Sequence, residues 1–78
     1  MAIIYTKHAK EMLLHRGIKQ ELADDCANSP DKILSGEDDK KIYLKDFGKN
    51  FLKLVVSEED GDKVIITVHW LVKKRLKE

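Results

Sequence analysis

The sequence predicts an α+β fold in which two N-terminal helices pack on one face of a mostly antiparallel four-stranded sheet, to which a short N-terminal edge strand can add. Apolar residues follow a helical period through the first 30 positions and a period of two from Lys32 onward. Residues 63–70 are rich in β-branched side chains, which favour a sheet. The 78 residues suffice for one domain, predicted over residues 1–72 and followed by a basic tail, residues 73–78.

The first helix is predicted to begin at Lys7, because Thr6 offers a hydroxyl for the N-cap after the short apolar run of residues 2–5. Gly17 suits the left-handed position that follows a helix. A core-facing stripe holds Ala9, Met12 and Leu13, whereas Leu14 lies outside it.

The second helix is predicted over roughly residues 20–27. Leu22, Ala23, Cys26 and Ala27 share one side of it. Pro30 ends this helix, because proline cannot continue a helix and disfavours helical geometry at Ser29.

Four strands are predicted after the helices, and the last two form a hairpin around Asp60 and Gly61. A type I′ turn needs two residues that tolerate positive φ, as this pair does. A regular two-residue turn would pair Leu52 with His69, whereas a one-residue bulge would place Lys53 and His69 on the same side. The sequence leaves this choice open. Both faces of the hairpin are largely apolar, so the helices leave one face for a groove, a dimer or a partner.

Composition narrows the classes of function. The net charge of +1 with 37% charged residues gives no overall electrostatic preference for nucleic acid. Cys26 is the only cysteine, so no intrachain disulfide can form. We expect a cytoplasmic protein without a membrane span, because no secretory signal and no run of about 20 apolar residues occurs. No metal site and no cofactor are expected, since the histidines and Cys26 lack ordinary ligand spacing.

Histidines and cations are the remaining candidates for chemistry. A histidine can exchange a proton with a ribose hydroxyl, and Arg or Lys can hold a phosphate. We therefore take His8 and His69 as candidate acid and base, with Arg16 and Lys53 as phosphate-binding residues. Tyr43 is a candidate for stacking on a base. Each also has a structural alternative as a helix-end, strand or core residue.

Several short motifs, in their order along the chain, resemble a widespread bacterial and archaeal domain of unknown function. They are His8-Ala9, Arg16-Gly17-Ile18, Asn28-Ser29-Pro30-Asp31 and the terminal run Val64-Ile65-Ile66-Thr67-Val68-His69-Trp70. That domain is similar in layout to the RelE and BrnT ribonuclease toxins of toxin-antitoxin pairs. The resemblance implies a helix pair on one sheet face, an RNA groove on the other, and an antitoxin that blocks the groove. The sequence departs from the family pattern at Met12, often a cation, and at His69, usually a tyrosine.

Two functions from different classes follow as hypotheses. The first is a toxin-like, metal-independent endoribonuclease, or an inactive relative, that acts on or binds RNA. The alternative is a non-catalytic interaction module that uses the uncovered apolar sheet face to bind a partner protein or to form a homodimer. A catalytic groove should bring at least two of the candidate histidines and cations together in a solvated site.

Overall fold

The computed structural model describes residues 2–72, which form two helices and five strands. In chain order these are β1 (Ile3–Tyr5), α1 (Lys7–His15), α2 (Gln20–Asn28), β2 (Lys32–Ser35), β3 (Lys41–Asp46), β4 (Asn50–Glu59) and β5 (Asp62–Val72). The predicted basic tail lies outside the described residues. No helix in the described part is long and apolar enough to cross a membrane.

The five strands form one mixed sheet in the order β1-β5-β4-β3-β2. Strands β2 to β5 pair antiparallel with their sequence neighbours, and β1 pairs parallel with β5, Ile3 opposite Lys63 and Tyr5 opposite Ile65. The α+β class is confirmed, but the prediction of a four-stranded, mostly antiparallel sheet is wrong. The N-terminal run is a fifth strand. No hairpin forces it to be antiparallel to β5, because two helices and three strands separate the two in the chain.

The hairpin between β4 and β5 turns at Asp60 and Gly61, whose φ angles of 51° and 85° are those that a type I′ turn requires. Glu59 pairs with Asp62. The regular pairing ends at Val56 and Ile65, because Val55 pairs with Thr67 and leaves Ile66 without a partner. This β-bulge is the alternative that the sequence left open, and it turns the remainder of β5 over relative to β4.

Capping residues and a proline explain where the two helices begin and end. The Thr6 hydroxyl accepts a hydrogen bond from the Ala9 amide at 3.1 Å, which confirms the predicted N-cap of α1. Gly17 follows α1 with φ of 63°, a left-handed conformation that costs glycine little. α2 runs to Asn28 and stops before Pro30.

Both helices lie on the same face of the sheet. α1 contacts β5 and β1, whereas α2 contacts β4 and β3. The sheet residues buried beneath them alternate along the strands, and the fully buried ones with the largest side chains are Tyr43, Leu52, Leu54, Val56, Ile65 and Val68. We call the opposite side the open face. Its central residues are all partly exposed except Leu44, which is 7% exposed; they are Ile42, Leu44, Phe51, Lys53, Val55, Thr67, His69 and Leu71.

Candidate functional site

Lys53 and His69 form a cross-strand pair at the centre of the open face. They lie directly opposite each other on β4 and β5, and both side chains are half-buried. Such a pair holds its Cβ atoms about 5 Å apart. The bulge at Ile66 is the cause, because an unbroken register would have placed His69 beneath the helices, opposite Leu52.

The environment of His69 favours its neutral form. Burial lowers the pKa of the imidazole from its usual value near 6.5, and the charges of Lys53 and Arg16 lower it further. A histidine of this kind carries an unprotonated ring nitrogen at neutral pH. It can therefore accept a proton or a hydrogen bond there.

Arg16 approaches His69 from the end of α1. The helix starts beside β5, where the Thr6 amide donates to the Ile65 carbonyl at 3.1 Å. Nine residues of helix advance about 14 Å, and the four residues from Ile65 to His69 advance about 13 Å along a strand. Arg16, the C-cap of α1, is exposed and lies near enough to His69 for its charge to lower the pKa of that imidazole.

His8 lies at the other end of α1. It is exposed in the first helical turn, next to the start of the helix beside Ile65, and α1 occupies the covered side of the sheet. His69 lies four residues beyond Ile65 on β5, roughly 13 Å along the strand, and it faces the opposite side of the sheet. The structure therefore does not bring the two candidate catalytic histidines together.

Tyr43 is part of the core under the helices. Its side chain is 2% exposed, and its hydroxyl donates to Glu58 Oε2 at 2.6 Å. Lys63 Nζ lies 5.3 Å from the ring centroid. Burial, followed by the hydrogen bond to Glu58, raises the pKa of Tyr43 to about 12. The ring offers no free face to a base, so we leave it out of the candidate site.

Sequence reasoning missed Lys32, which extends the pair into a row. Lys32 lies opposite Leu44, Leu44 lies opposite Lys53, and Lys53 lies opposite His69. With neighbouring strands about 4.8 Å apart, this row crosses four strands and spans about 14 Å. We call Lys32, Leu44, Lys53 and His69 the basic row. Counting the register of β2 and β3 outward from the turn around Gly36 would have indicated that Lys32 lies in this row.

The cations of the basic row have no acidic partner within residues 2–72. The ion pair found there joins Lys41 to Glu58 at 3.8 Å, and neither residue belongs to the row. Asp46 is the acid next along the open face, in register with Phe51, and one of its oxygens accepts a hydrogen bond from the Gly48 amide at 2.8 Å. Lys32, Lys53 and the nearby Arg16 thus leave positive charge for an anion.

A groove of about 590 Å³ lies beside the basic row on the open face. Ile42 and Val55 form its apolar wall. On the open face, Ile42 precedes Leu44 along β3 and Val55 follows Lys53 along β4. The turn between β2 and β3 supplies its polar wall, with residues Ser35, Gly36, Glu37, Asp38 and Lys40. Its volume lies in the range of sites that bind a small ligand or one nucleotide.

Neither a metal nor a reactive thiol is built from the described residues. No group of three His, Cys, Asp or Glu side chains that could hold a metal ion occurs among residues 2–72. The Cys26 thiol is buried and donates to the carbonyls of Leu52 and Tyr43 at 3.6 and 3.8 Å. Burial raises the pKa of Cys26 to about 12, so this thiol has little thiolate character.

Comparison with known proteins gives one positive result. A family model described as "Domain of unknown function (DUF4258)" matches residues 5–70. No curated protein and no solved structure matches the chain. The matched region runs from Tyr5 to Trp70, so it includes both helices and the whole basic row.

Proposed function

The chain belongs to the DUF4258 family, and on that premise we propose that it binds single-stranded RNA across the basic row and cleaves it as a toxin-like endoribonuclease. The observation that carries the proposal is the pairing of His69 with Lys53 on the face that the helices leave uncovered. The pKa of His69 is lowered by burial and by nearby positive charge, which favours the neutral imidazole. The wider resemblance to RelE and BrnT toxins, a cytoplasmic location and an antitoxin partner belong to this proposal as well.

The proposed binding mode assigns phosphate to the cations and a base to the groove. Lys53 lies opposite His69, the charge of Arg16 reaches His69 from the end of α1, and Lys32 lies two strands from Lys53, about 10 Å away. A phosphate held between Lys53 and Arg16 would lie within reach of the imidazole. The apolar wall at Ile42 and Val55 would contact the adjoining base.

The proposed reaction is transfer of the phosphoryl group to the neighbouring ribose 2′ oxygen. His69 takes the proton of the 2′ hydroxyl, the new O2′–P bond forms, and the P–O5′ bond breaks. The leaving 5′ oxygen takes a proton from water, which leaves a 2′,3′-cyclic phosphate and a 5′ hydroxyl. The ammonium of Lys53 and the guanidinium of Arg16 stabilise the charge that develops on the phosphoryl oxygens.

His8 has no part in this arrangement, which makes it a matched control. We expect the purified protein to cleave single-stranded RNA in the presence of EDTA, and His69→Ala to reduce the rate about 100-fold or more, as the loss of a general base does. His8→Ala should leave the rate within about twofold. Intact RNA at high protein concentration, or equal loss in the two variants, would refute the catalytic part of the proposal.

Binding can be tested apart from cleavage. Fluorescence anisotropy with a labelled RNA that carries 2′-O-methyl groups prevents the transfer, so it reports affinity alone. Lys53→Ala should weaken binding and reduce the slope of log affinity against log salt by about 0.7, the value for one lost phosphate contact on a single strand. Lys10→Ala, which removes an exposed cation of α1 on the covered side, is the control for nonspecific charge.

A second function is favoured by the apolar residues of the open face. Val55 and Leu71 are only half-buried there, and within residues 2–72 both helices lie on the other face of the sheet. A non-catalytic module would use this surface to bind another protein. An RNA affinity that is weak and unchanged by Lys53→Ala, together with loss of a protein partner in Val55→Asp, would favour this second function over the first.

A further inference from the structure

Leu14 is an exposed leucine on the outward side of α1. It is 83% exposed, whereas α1 buries Ala9 and Leu13 against the rest of the fold. Lys7, Lys10 and Leu14 follow the spacing that places side chains in one stripe along a helix. A single exposed leucine needs no explanation by itself. This one borders a groove, and the stripe that contains it is otherwise basic.

The groove lies where α1 ends and α2 begins, and its volume is about 280 Å³. Leu13, Leu14 and Ile18 supply its apolar surface, and Lys10 and Gln20 complete the lining. The Ile18 amide donates to the Leu13 carbonyl at 2.9 Å, so the connection between the helices is held against the last turn of α1. We call this surface the helix groove.

Positive charge surrounds the helix groove. Lys7, Lys10, Arg16 and Lys19 are exposed, and Glu11 is the single acid in this part of the sequence, residues 7–19. Within residues 2–72, none of the four cations takes part in an ion pair. An apolar groove with an unpaired basic rim is complementary to a ligand that carries both aliphatic and acidic groups.

We propose that the helix groove binds an acidic amphipathic segment of a different protein, whose aliphatic side chains pack on Leu14 and whose carboxylates lie beside Lys10 and Lys19. The apolar contact supplies most of the affinity, and the charges select the partner. The groove is built from the helices, which lie on the covered side of the sheet, so it is separate from the open face.

Two other occupants match the helix groove less well. No aromatic side chain lines it, so it offers no stacking surface to the bases of RNA. The acidic helix of a second copy, α2, carries Glu21 and Asp25 on its exposed side, but Ala23, Cys26 and Ala27 are already buried in its own core. It therefore has the charge without free apolar side chains.

Two synthetic peptides test the chemistry of the partner. One is an amphipathic sequence of leucine and glutamate, and the other has lysine in place of each glutamate. We expect the glutamate peptide to bind in fluorescence anisotropy and to shift the NMR amide resonances of Leu14, Ile18 and Gln20, whereas the lysine peptide does neither. Absence of binding by the glutamate peptide, or equal binding by the two peptides, would overturn the proposal.

Leu14→Glu and His15→Glu are matched variants that test the place of binding. Both add one negative charge at an exposed position of α1, but the two side chains point about 100° apart around the helix. Leu14→Glu should weaken the glutamate peptide about tenfold or more, since a leucine loses its apolar contact. His15→Glu should weaken it by about twofold or less, as expected for a screened surface charge. Equal losses would mean that charge alone holds the peptide, and would overturn the proposal.

Reversal of the basic stripe tests the selection by charge. Lys7→Glu with Lys10→Glu leaves Leu14 in place, and acidic residues suit the start of a helix, so α1 should be retained. We expect this variant to exchange its preference and bind the lysine peptide over the glutamate peptide. An unchanged preference would contradict the proposed role of these cations.

The other occupants would give distinct results. Self-association of the unchanged protein in sedimentation equilibrium, abolished by Leu14→Glu, would assign the helix groove to a second copy. A shift of the Leu14 amide on addition of single-stranded RNA would assign it to RNA, and either result would overturn the protein partner. The peptide experiments need neither RNA nor cleavage, so failure of the ribonuclease proposal leaves them interpretable.

Discussion

Lys53 and His69 lie opposite each other on neighbouring strands, and burial followed by the charge of the Lys53 ammonium lowers the pKa of His69. Lys53→Ala should therefore raise the pKa of His69, and Lys53→Glu should raise it further. NMR titration of the imidazole resonances measures the effect, with Lys10→Ala as a control that leaves His69 unchanged. A pKa of His69 that does not respond to Lys53 would contradict the paired arrangement.

The same imidazole should make folding stability depend on pH. Burial lowers the pKa of His69 in the folded state below its unfolded value near 6.5, so the unfolded chain binds more protons as the solution is acidified. The contribution of His69 is fully present above the unfolded pKa near 6.5 and is lost progressively as pH falls from there through the lower folded pKa. Urea unfolding at pH 7.5 and at pH 5.5 should show a smaller change in free energy of unfolding for His69→Gln than for the unchanged protein.

Two adjacent leucines of α1 should respond very differently to truncation. Leu13 is 7% exposed within the core, whereas Leu14 is 83% exposed. Leu13→Ala should reduce the free energy of unfolding by about 3 kcal/mol, since it removes buried atoms and leaves a cavity. Leu14→Ala should change it by less than about 0.5 kcal/mol. Chemical denaturation of the two variants compares them directly, and equal losses would mean that α1 is rotated from its described position.

Tyr5 ties the first strand to the second helix. Its hydroxyl donates to Asp24 Oδ1 at 2.6 Å in a partly buried setting, and burial together with this bond raises the pKa of Tyr5. Tyr5→Phe should cost about 1 kcal/mol of unfolding free energy, the net value of such a bond. Asp24→Asn keeps an acceptor oxygen and should cost less than Asp24→Ala. If both Asp24 variants matched the unchanged protein, the contact would have no energetic role.

Local signals were enough to predict the helices and the main hairpin. Thr6 caps α1 as expected, and Asp60 with Gly61 makes the predicted turn, because these features depend on a few neighbouring residues. The parallel pairing of β1 could not be predicted in the same way. A strand of three residues whose partner is the last strand of the chain carries no local signal for that pairing.

The candidate site was predictable by residue type but not by position. Lys53 and His69 share a face only because of the bulge, and their packing, not their sequence, decides where that bulge falls. His8 carries the same side chain as His69 yet lies on the covered side, since α1 begins beside Ile65. From the sequence, Tyr43 was a candidate for stacking on a base. The register instead places it under α2, where its hydroxyl donates a hydrogen bond to Glu58.

The unpaired Ile66 also limits how this hairpin can change in evolution. Deletion of Ile66 would restore an unbroken alternation and move each later side chain of β5 to the opposite face of the sheet. Val68 and Trp70 would then point into solvent, while the imidazole of His69 would be forced among aliphatic side chains. We expect natural relatives of this chain to gain or lose residues in the second arm of the hairpin in pairs, because a single insertion or deletion would invert the surface that meets the outside.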